Sequence, residues 1–157
     1  MTADPSVIVR HVTDIDELAA AYAVRHDVFV VEQGVPPELE LDNLDATADH
    51  LVAYDGERAV GAGRLVVEAA GFEGADPTLG PVGHLGRIAV RAQDRGRGLG
   101  VALVVALEAR AVQRRLAIAA LSAQTHALGF YERLGYAAHG PEFDDAGLPH
   151  RWMTKRL

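Results

Sequence analysis

The stretch that decides the fold is Gly86-Arg-Ile-Ala-Val-Arg-Ala-Gln-Asp-Arg-Gly-Arg-Gly-Leu-Gly100, continued by Val101-Ala-Leu-Val-Val-Ala-Leu107. Ile88, Ala89 and Val90 form an unbroken apolar run of strand type. Gly96, Gly98 and Gly100 then alternate with Arg97 and Leu99, and a helical apolar stripe follows at once. The pattern is strand, glycine turn, helix start. At a helix N-terminus the first backbone N–H groups lack intrahelical acceptors, and the aligned peptide dipoles add partial positive charge. Glycine lets such a backbone take positive φ and approach an anion closely, and Arg95 and Arg97 place formal charge at the rim. A diphosphate suits this turn.

Two other phosphate loops do not fit. A Walker A loop ends in Gly-Lys-Ser/Thr, whereas Gly100 is followed by Val101. The dinucleotide fingerprint needs a third glycine three residues after its second, and Val101 stands there instead. The segment Arg95-Gly96-Arg97-Gly98-Leu99-Gly100 resembles the Arg/Gln-x-x-Gly-x-Gly loop that binds the acyl-CoA pyrophosphate in the GNAT acetyltransferase superfamily. A second stretch, Ala127-Leu-Gly-Phe-Tyr-Glu-Arg-Leu-Gly-Tyr136, is similar to the Ala-x-x-Phe-Tyr-x-x-x-Gly-Phe/Tyr segment of the same superfamily. The details look like its ElaA-like branch: Arg25-His-Asp-Val-Phe-Val-Val-Glu-Gln33, Gly86-Arg-Ile-Ala-Val90, Ala123-Gln124 and Gly147-Leu-Pro-His150.

Working outward, Ser6–Val12 is rich in β-branched residues and predicts a strand near a sheet edge. Asp14, with Glu17 three residues later, predicts a capped helix that runs to about Gln33-Gly34. Val35–Asp49 is acidic and broken by prolines, so a long loop with one short helical turn is expected. His50–Tyr54, Asp55-Gly56 and Ala59–Val67 predict a hairpin. In it Gly61 and Gly63 mark a bulge or close approach by another element. Glu68–Gly83 is a surface excursion. The helix after the glycine turn should end near Arg114-Arg115, followed by a buried strand at Leu116–Ser122 and a helix from His126 to Leu134 stopped by Gly135. Tyr136–His139 starts another strand, Pro141–Pro149 reads as a turn-rich arm, and His150–Leu157 as a final strand. The expected fold is a mixed α/β, GNAT-like, mostly antiparallel sheet with helices on both faces, in one domain over 1–157.

Composition bounds the function. The 157 residues carry 22 acids against 15 Lys and Arg, a net charge of −7, which argues against nucleic acid as a partner. No segment reaches the ~18 apolar residues of a membrane span, and the N-terminus resembles neither a signal nor a transit peptide, so the cytoplasm is the expected location. With no cysteine, disulfides and thiol nucleophiles are excluded; the seven histidines are scattered, so no metal is expected.

The resemblance implies acetyl-CoA as cosubstrate and a primary amine of a small molecule or peptide as acceptor. Backbone at Ile88, Ala89 and Val90 would pair with the pantetheine amides, and N–H groups from Arg95 through Gly96, Arg97, Gly98, Leu99 and Gly100 to Val101 would hold the pyrophosphate. Tyr131 matches the tyrosine that protonates the departing thiolate. His84 falls where some GNAT enzymes carry a glutamate base, with water as the alternative proton acceptor. Arg25, Phe29, Glu32 and His50 are placed on the acceptor side. The acids Glu38, Glu40, Asp42, Asp45 and Asp49 would favour a cationic acceptor. Glu40-x-Asp42-x-x-Asp45 with Arg25 and Phe29 is also similar to acyl-homoserine-lactone synthases, which share the fold. A non-catalytic acyl-CoA-binding module is the other alternative, and a homodimer is compatible with the sequence.

Overall fold

The computed structural model describes residues 3–157. Seven strands form one sheet: β1 (Val7–His11), β2 (Asp49–Asp55), β3 (Arg58–Glu68), β4 (Val82–Val90), β5 (Ile118–Gln124), β6 (Ala137–Asp145) and β7 (Leu148–Arg156), in the spatial order β1-β2-β3-β4-β5-β7-β6. Each neighbouring pair is antiparallel except β4 and β5, which are parallel. That parallel pair requires a crossover, and α3 (Leu99–Gln113) supplies it.

The helix α1 (Ile15–Arg25) covers one face and α3 the other. Period-two alternation divides the strands between them: Val52, Ala62 and Ala89 pack with Ala21, Val24 and Val28, while Ala53 packs with Leu99 and Leu103. Val60, two residues before Ala62, joins the Leu99 side because the pairing with β2 skips it, from Ala53 with Gly61 to Tyr54 with Ala59. The Asp14 carboxylate accepts from the Glu17 N–H at 2.8 Å, as a capping residue should. The Glu17 carboxylate accepts instead from the Thr13 hydroxyl, one residue before the cap, at 2.9 Å. Past Arg25 the chain keeps turning to Gln33 as expected, but His26–Glu32 widens into a π-helix, with the Gln33 N–H bonded five residues back to Val28 O.

The close approach read at Gly61 and Gly63 holds, and irregularities flank them: β3 carries an extra residue at Val60 against β2, and β4 carries one opposite Gly63. A Cβ at either would lie 3.0 Å from Leu103 or Leu107, because α3 rests directly on β3. The register of β3 against β4 also shifts between Ala62 and Arg64, where Gly63 faces the longer interval of Arg87 and Ile88. Arg87 takes up the extra residue at φ 51°.

The loop before β2 contains α2 (Pro37–Glu40) and a 3₁₀ turn at Asn43–Ala46. A short α4 (Leu128–Arg133) follows β5. The arm read at Pro141–Pro149 is in fact the turn of a long hairpin: β6 continues through Pro141, irregular between His139 and Phe143, and turns at Ala146 and Gly147, both at positive φ. Proline is tolerated there because β6 is a sheet edge. Pairing with β7 overrode the local turn signals.

Candidate active site

The glycine turn delivers a bare helix end. Gly96 and Gly98 sit at φ 81° and 74°, and Gly98 is the N-cap of α3 with no side chain capping the first turn. The N–H groups of Leu99, Gly100 and Val101 therefore point out of a fifteen-residue helix without intrahelical partners. A Cβ at Gly100 would come 3.2 Å from the Phe130 ring, so α4 packs against the start of α3.

The two arginines of this turn behave differently from one another. Arg95 forms a two-pronged pair with Glu32, at 2.8 and 2.7 Å, and its Nε donates to Val90 O. Arg97 faces away: it donates to Asp4, Asp55 and Asp94 at 2.9, 2.9 and 3.0 Å. Its guanidinium does not line the cavity described below, which corrects the expectation of a rim charge there. Only the Arg97 main chain belongs to the turn.

Beyond His84 the sheet opens. β4 and β5 pair only at Gly83 with Ala119 and His84 with Ala120, so the rest of that β4 edge has no β5 partner. A cavity of about 1580 Å³ occupies the gap. Its walls include Ile88, Ala89, Val90, Arg95, Gly96, Gly98, Leu99, Gly100, Val101, Phe29, Glu32, His84 and Tyr131. Residues separated by about a hundred positions in sequence thus share one space. The π-helical segment roofs it, tied down by Glu32 to Arg95, by Asp27 to Arg91, and by Gln33, which accepts from Gln124 at 3.0 Å.

Tyr131 lies with its ring edge-on to Phe130 and Tyr136. Burial pushes its phenol up to about 12, with no charged neighbour contributing. His84 Nδ1 is 3.1 Å from Glu68 Oε1. Burial lowers the imidazole below its usual range and the Glu68 carboxylate only partly offsets this, so the ring is neutral at pH 7.

Arg25 and His50 are not in the cavity wall. Arg25, 1% exposed, donates to Glu40 at 2.6 Å and to Asp45 at 2.7 Å. Arg64, also buried, donates to both oxygens of Asp42 and to Asp45. Arg87 reaches the carbonyls of Leu39 and Glu40 and the Asp42 carboxylate. His50 Nε2 lies 2.9 Å from Asp45 O. These residues build a buried ionic block that fastens the 37–46 loop to the sheet. Of the five acids read as attracting a cation, four are consumed within the fold, Glu40, Asp42 and Asp45 in this block and Asp49 by Arg110 and Arg114, while Glu38 is exposed, is in no ion pair among the described residues and does not line the cavity. Glu32 too is committed, and its Arg95 partner holds its carboxyl below the ordinary range. Of the expected acceptor residues only Phe29 lines the cavity free of an ionic partner.

Sequence reasoning missed the wall at the other end. His150 and Trp152 on β7 and Phe143 on β6 line the cavity, with the Phe143 ring stacked on both at 24° and 29°. The signal was available as the i, i+2 spacing of His150 and Trp152, once Pro141–Pro149 is paired as a hairpin.

A helix end open to anions above a split between parallel strands defines an acyl-CoA-type transferase fold. The chain belongs to the GNAT acetyltransferase family: residues 15–157 match the model of the acetyltransferase (GNAT) domain. It is 40% identical over 141 residues to the uncharacterized N-acetyltransferase YjcF of Bacillus subtilis, covering 89% of this chain and 93% of that one. Among solved structures, an acyl-CoA N-acyltransferase from Pseudomonas aeruginosa superposes with a TM-score of 0.77 at 28% identity, over 95% of this chain and 97% of that one. Escherichia coli ElaA shares the fold, with a TM-score of 0.79 at 22% identity over 95% and 99%. The protein is an acyltransferase.

Proposed function

We propose that the protein transfers an acetyl group from acetyl-CoA to a primary amine by direct attack. The observation that carries this reading is that the uncapped start of α3 and the unpartnered Tyr131 phenol open onto one cavity, in the gap where β4 loses β5. The residues fit the donor. Two glycines at positive φ and an uncapped helix end suit a pyrophosphate, and the free β4 edge at Ile88–Val90 suits an extended chain with amide groups.

Acetyl-CoA supplies an activated thioester. His84, neutral and oriented by Glu68, accepts the amine proton directly or through water. Backbone N–H groups on the free β4 edge, next to the bulge at Arg87, stabilise negative charge on the acyl oxygen. Tyr131 stays protonated across the working pH range and donates a hydrogen bond to the departing sulfur. Complete transfer to a thiolate of pKa ~8.5–10 is uphill, at about 1.4 kcal/mol for each unit of mismatch with a phenol at about 12. Hydrogen-bond stabilisation of the thiolate is therefore its main contribution.

The test is calorimetric titration of acetyl-CoA and CoA into wild type and Gly98→Asp, followed by a thiol-release assay over primary amines. Binding lost in the variant supports the donor site. No binding to wild type sinks it.

A further inference from the structure

The acceptor end of the cavity combines carboxylates that are mostly paired with an unexplained set of rings. Glu40, Asp42 and Asp45 are bound by Arg25, Arg64 and Arg87, and Glu32 by Arg95. A cation entering beside His84 would find those four acids already paired, and would meet Glu73, Asp144 and Asp145 as the wall carboxylates with no ion pair among the described residues, the last two next to Phe143. The opposite wall is aromatic. Trp152 stacks on Phe143 with centroids 5.5 Å apart, and its edge meets Phe72 at 5.1 Å and His84 at 5.7 Å. The rear of the Trp152 ring is sealed: a Cβ on Gly74 would lie 2.6 Å from it, and His139 Nε2, 3.1 Å from Gly74 O, pins that loop in place. Backed by Gly74 and stacked on Phe143, the indole borders the cavity as part of one aromatic wall.

From this arrangement we propose, resting on the acetyltransferase reading above, that the acceptor is an arylalkylamine, a primary amine on a short alkyl arm of an aromatic ring, with Trp152 and Phe143 as its specificity-determining residues. The substrate ring packs on the Trp152–Phe143 wall, where offset aromatic contact is favourable. Its amino group reaches His84, itself in contact with Phe72 and Trp152. The amine nitrogen attacks the acetyl carbonyl, the C–S bond breaks, the amine proton passes to His84 or water, and the thiolate leaves as CoA. The products are the arylalkyl acetamide and CoA.

Trp152 is the sole tryptophan, so its emission reports this wall alone. The experiment titrates 2-phenylethylamine and 1,4-diaminobutane into the wild-type complex with CoA, following tryptophan emission, and measures kcat/KM for both amines with acetyl-CoA. The expected result is a saturable emission change with 2-phenylethylamine and none with the diamine, and at least a tenfold kcat/KM advantage for the arylalkylamine. In Phe143→Ala that advantage is lost through the amine KM, while the KM for acetyl-CoA is unchanged. The conservative Trp152→Phe retains most of the preference. Equal or better use of the diamine, or a Phe143→Ala that slows both amines alike, overturns the proposal while leaving the acetyltransferase reading intact. Failure of acetyl-CoA to bind wild type in calorimetry overturns both. The wild-type titration needs no variant to fold.

Discussion

The two ends of the cavity are built on opposite plans. The end proposed for the donor comes from contiguous chain, β4 through the glycine turn into α3, and the groups it presents are main-chain N–H and C=O. The end proposed for the acceptor is assembled from the 37–46 loop, β3, β4 and the β6–β7 hairpin, and the groups it presents are side chains, most of whose charges are settled by one another. The donor end is accordingly constrained by φ and by space, the acceptor end by pairing. The same residue type behaves differently in each: Gly98 provides an αL backbone at the turn, whereas Gly74 provides only room for an indole.

Substitutions that strike each end separately sharpen this contrast. The largest effect is expected from Gly98→Asp, since aspartate tolerates positive φ but sets a carboxylate at the bare helix end. Acetyl-CoA affinity should fall about a thousandfold, ~4 kcal/mol by calorimetry, with the melting temperature nearly unchanged. Asp45→Asn should do the reverse. Removing one partner from a buried ionic block destabilises by about 3–5 kcal/mol in denaturant unfolding, whereas acetyl-CoA binding to the folded fraction persists. Burial alone would raise the Asp45 carboxyl, but hydrogen bonds from Arg25 and Arg64 drive it well below its ordinary range. Its stabilising contribution is complete above about pH 4 and is lost as the pH falls toward the folded value, so the Asn variant should unfold with a shallower acid dependence.

At the junction of the two ends, Tyr131→Phe should lower kcat about a hundredfold with little change in the KM for acetyl-CoA. His84 gives a smaller, pH-resolved effect. Because burial holds its folded pKa below the usual value, the wild-type kcat should stay flat down through about pH 6.5 and decline only below it. Glu68→Gln removes the influence that raises that pKa, so the decline should move to still lower pH, measured in the pH profile of kcat. The smallest effect should come from Glu32→Gln. The Glu32–Arg95 pair is partly exposed, so stability should change by less than ~1 kcal/mol. Freeing Arg95 should tighten acetyl-CoA severalfold, an effect that salt weakens.

How legible each end was follows from its construction. The strand–turn–helix reading of Gly86–Gly100 held, with the close approach at Gly61 and Gly63, because these depend on residue type within a few positions. The charged residues were misplaced for the opposite reason. Arg97 sits in the loop motif, yet besides the nearby Asp94 its partners are Asp4, 93 positions away, and Asp55. Arg25 and Glu32 both lie on the first helical stretch, and spacing gave no means of telling that Arg25 closes a buried block while Glu32 meets Arg95 at the cavity edge. The hairpin was hidden because Pro141 and the acids that follow mimic a loop, and only pairing with β7 brings Phe143 opposite His150.

The amino-acid sequence by itself determined the order of the elements, the sheet with a helix on either face, and the anion-ready start of α3, because local periodicity and glycine φ preferences act over a few residues. Tertiary structure alone decided where β4 parts from β5, which carboxylates remain free and which rings face the cavity, because each of those depends on partners that only the folded chain brings within contact distance.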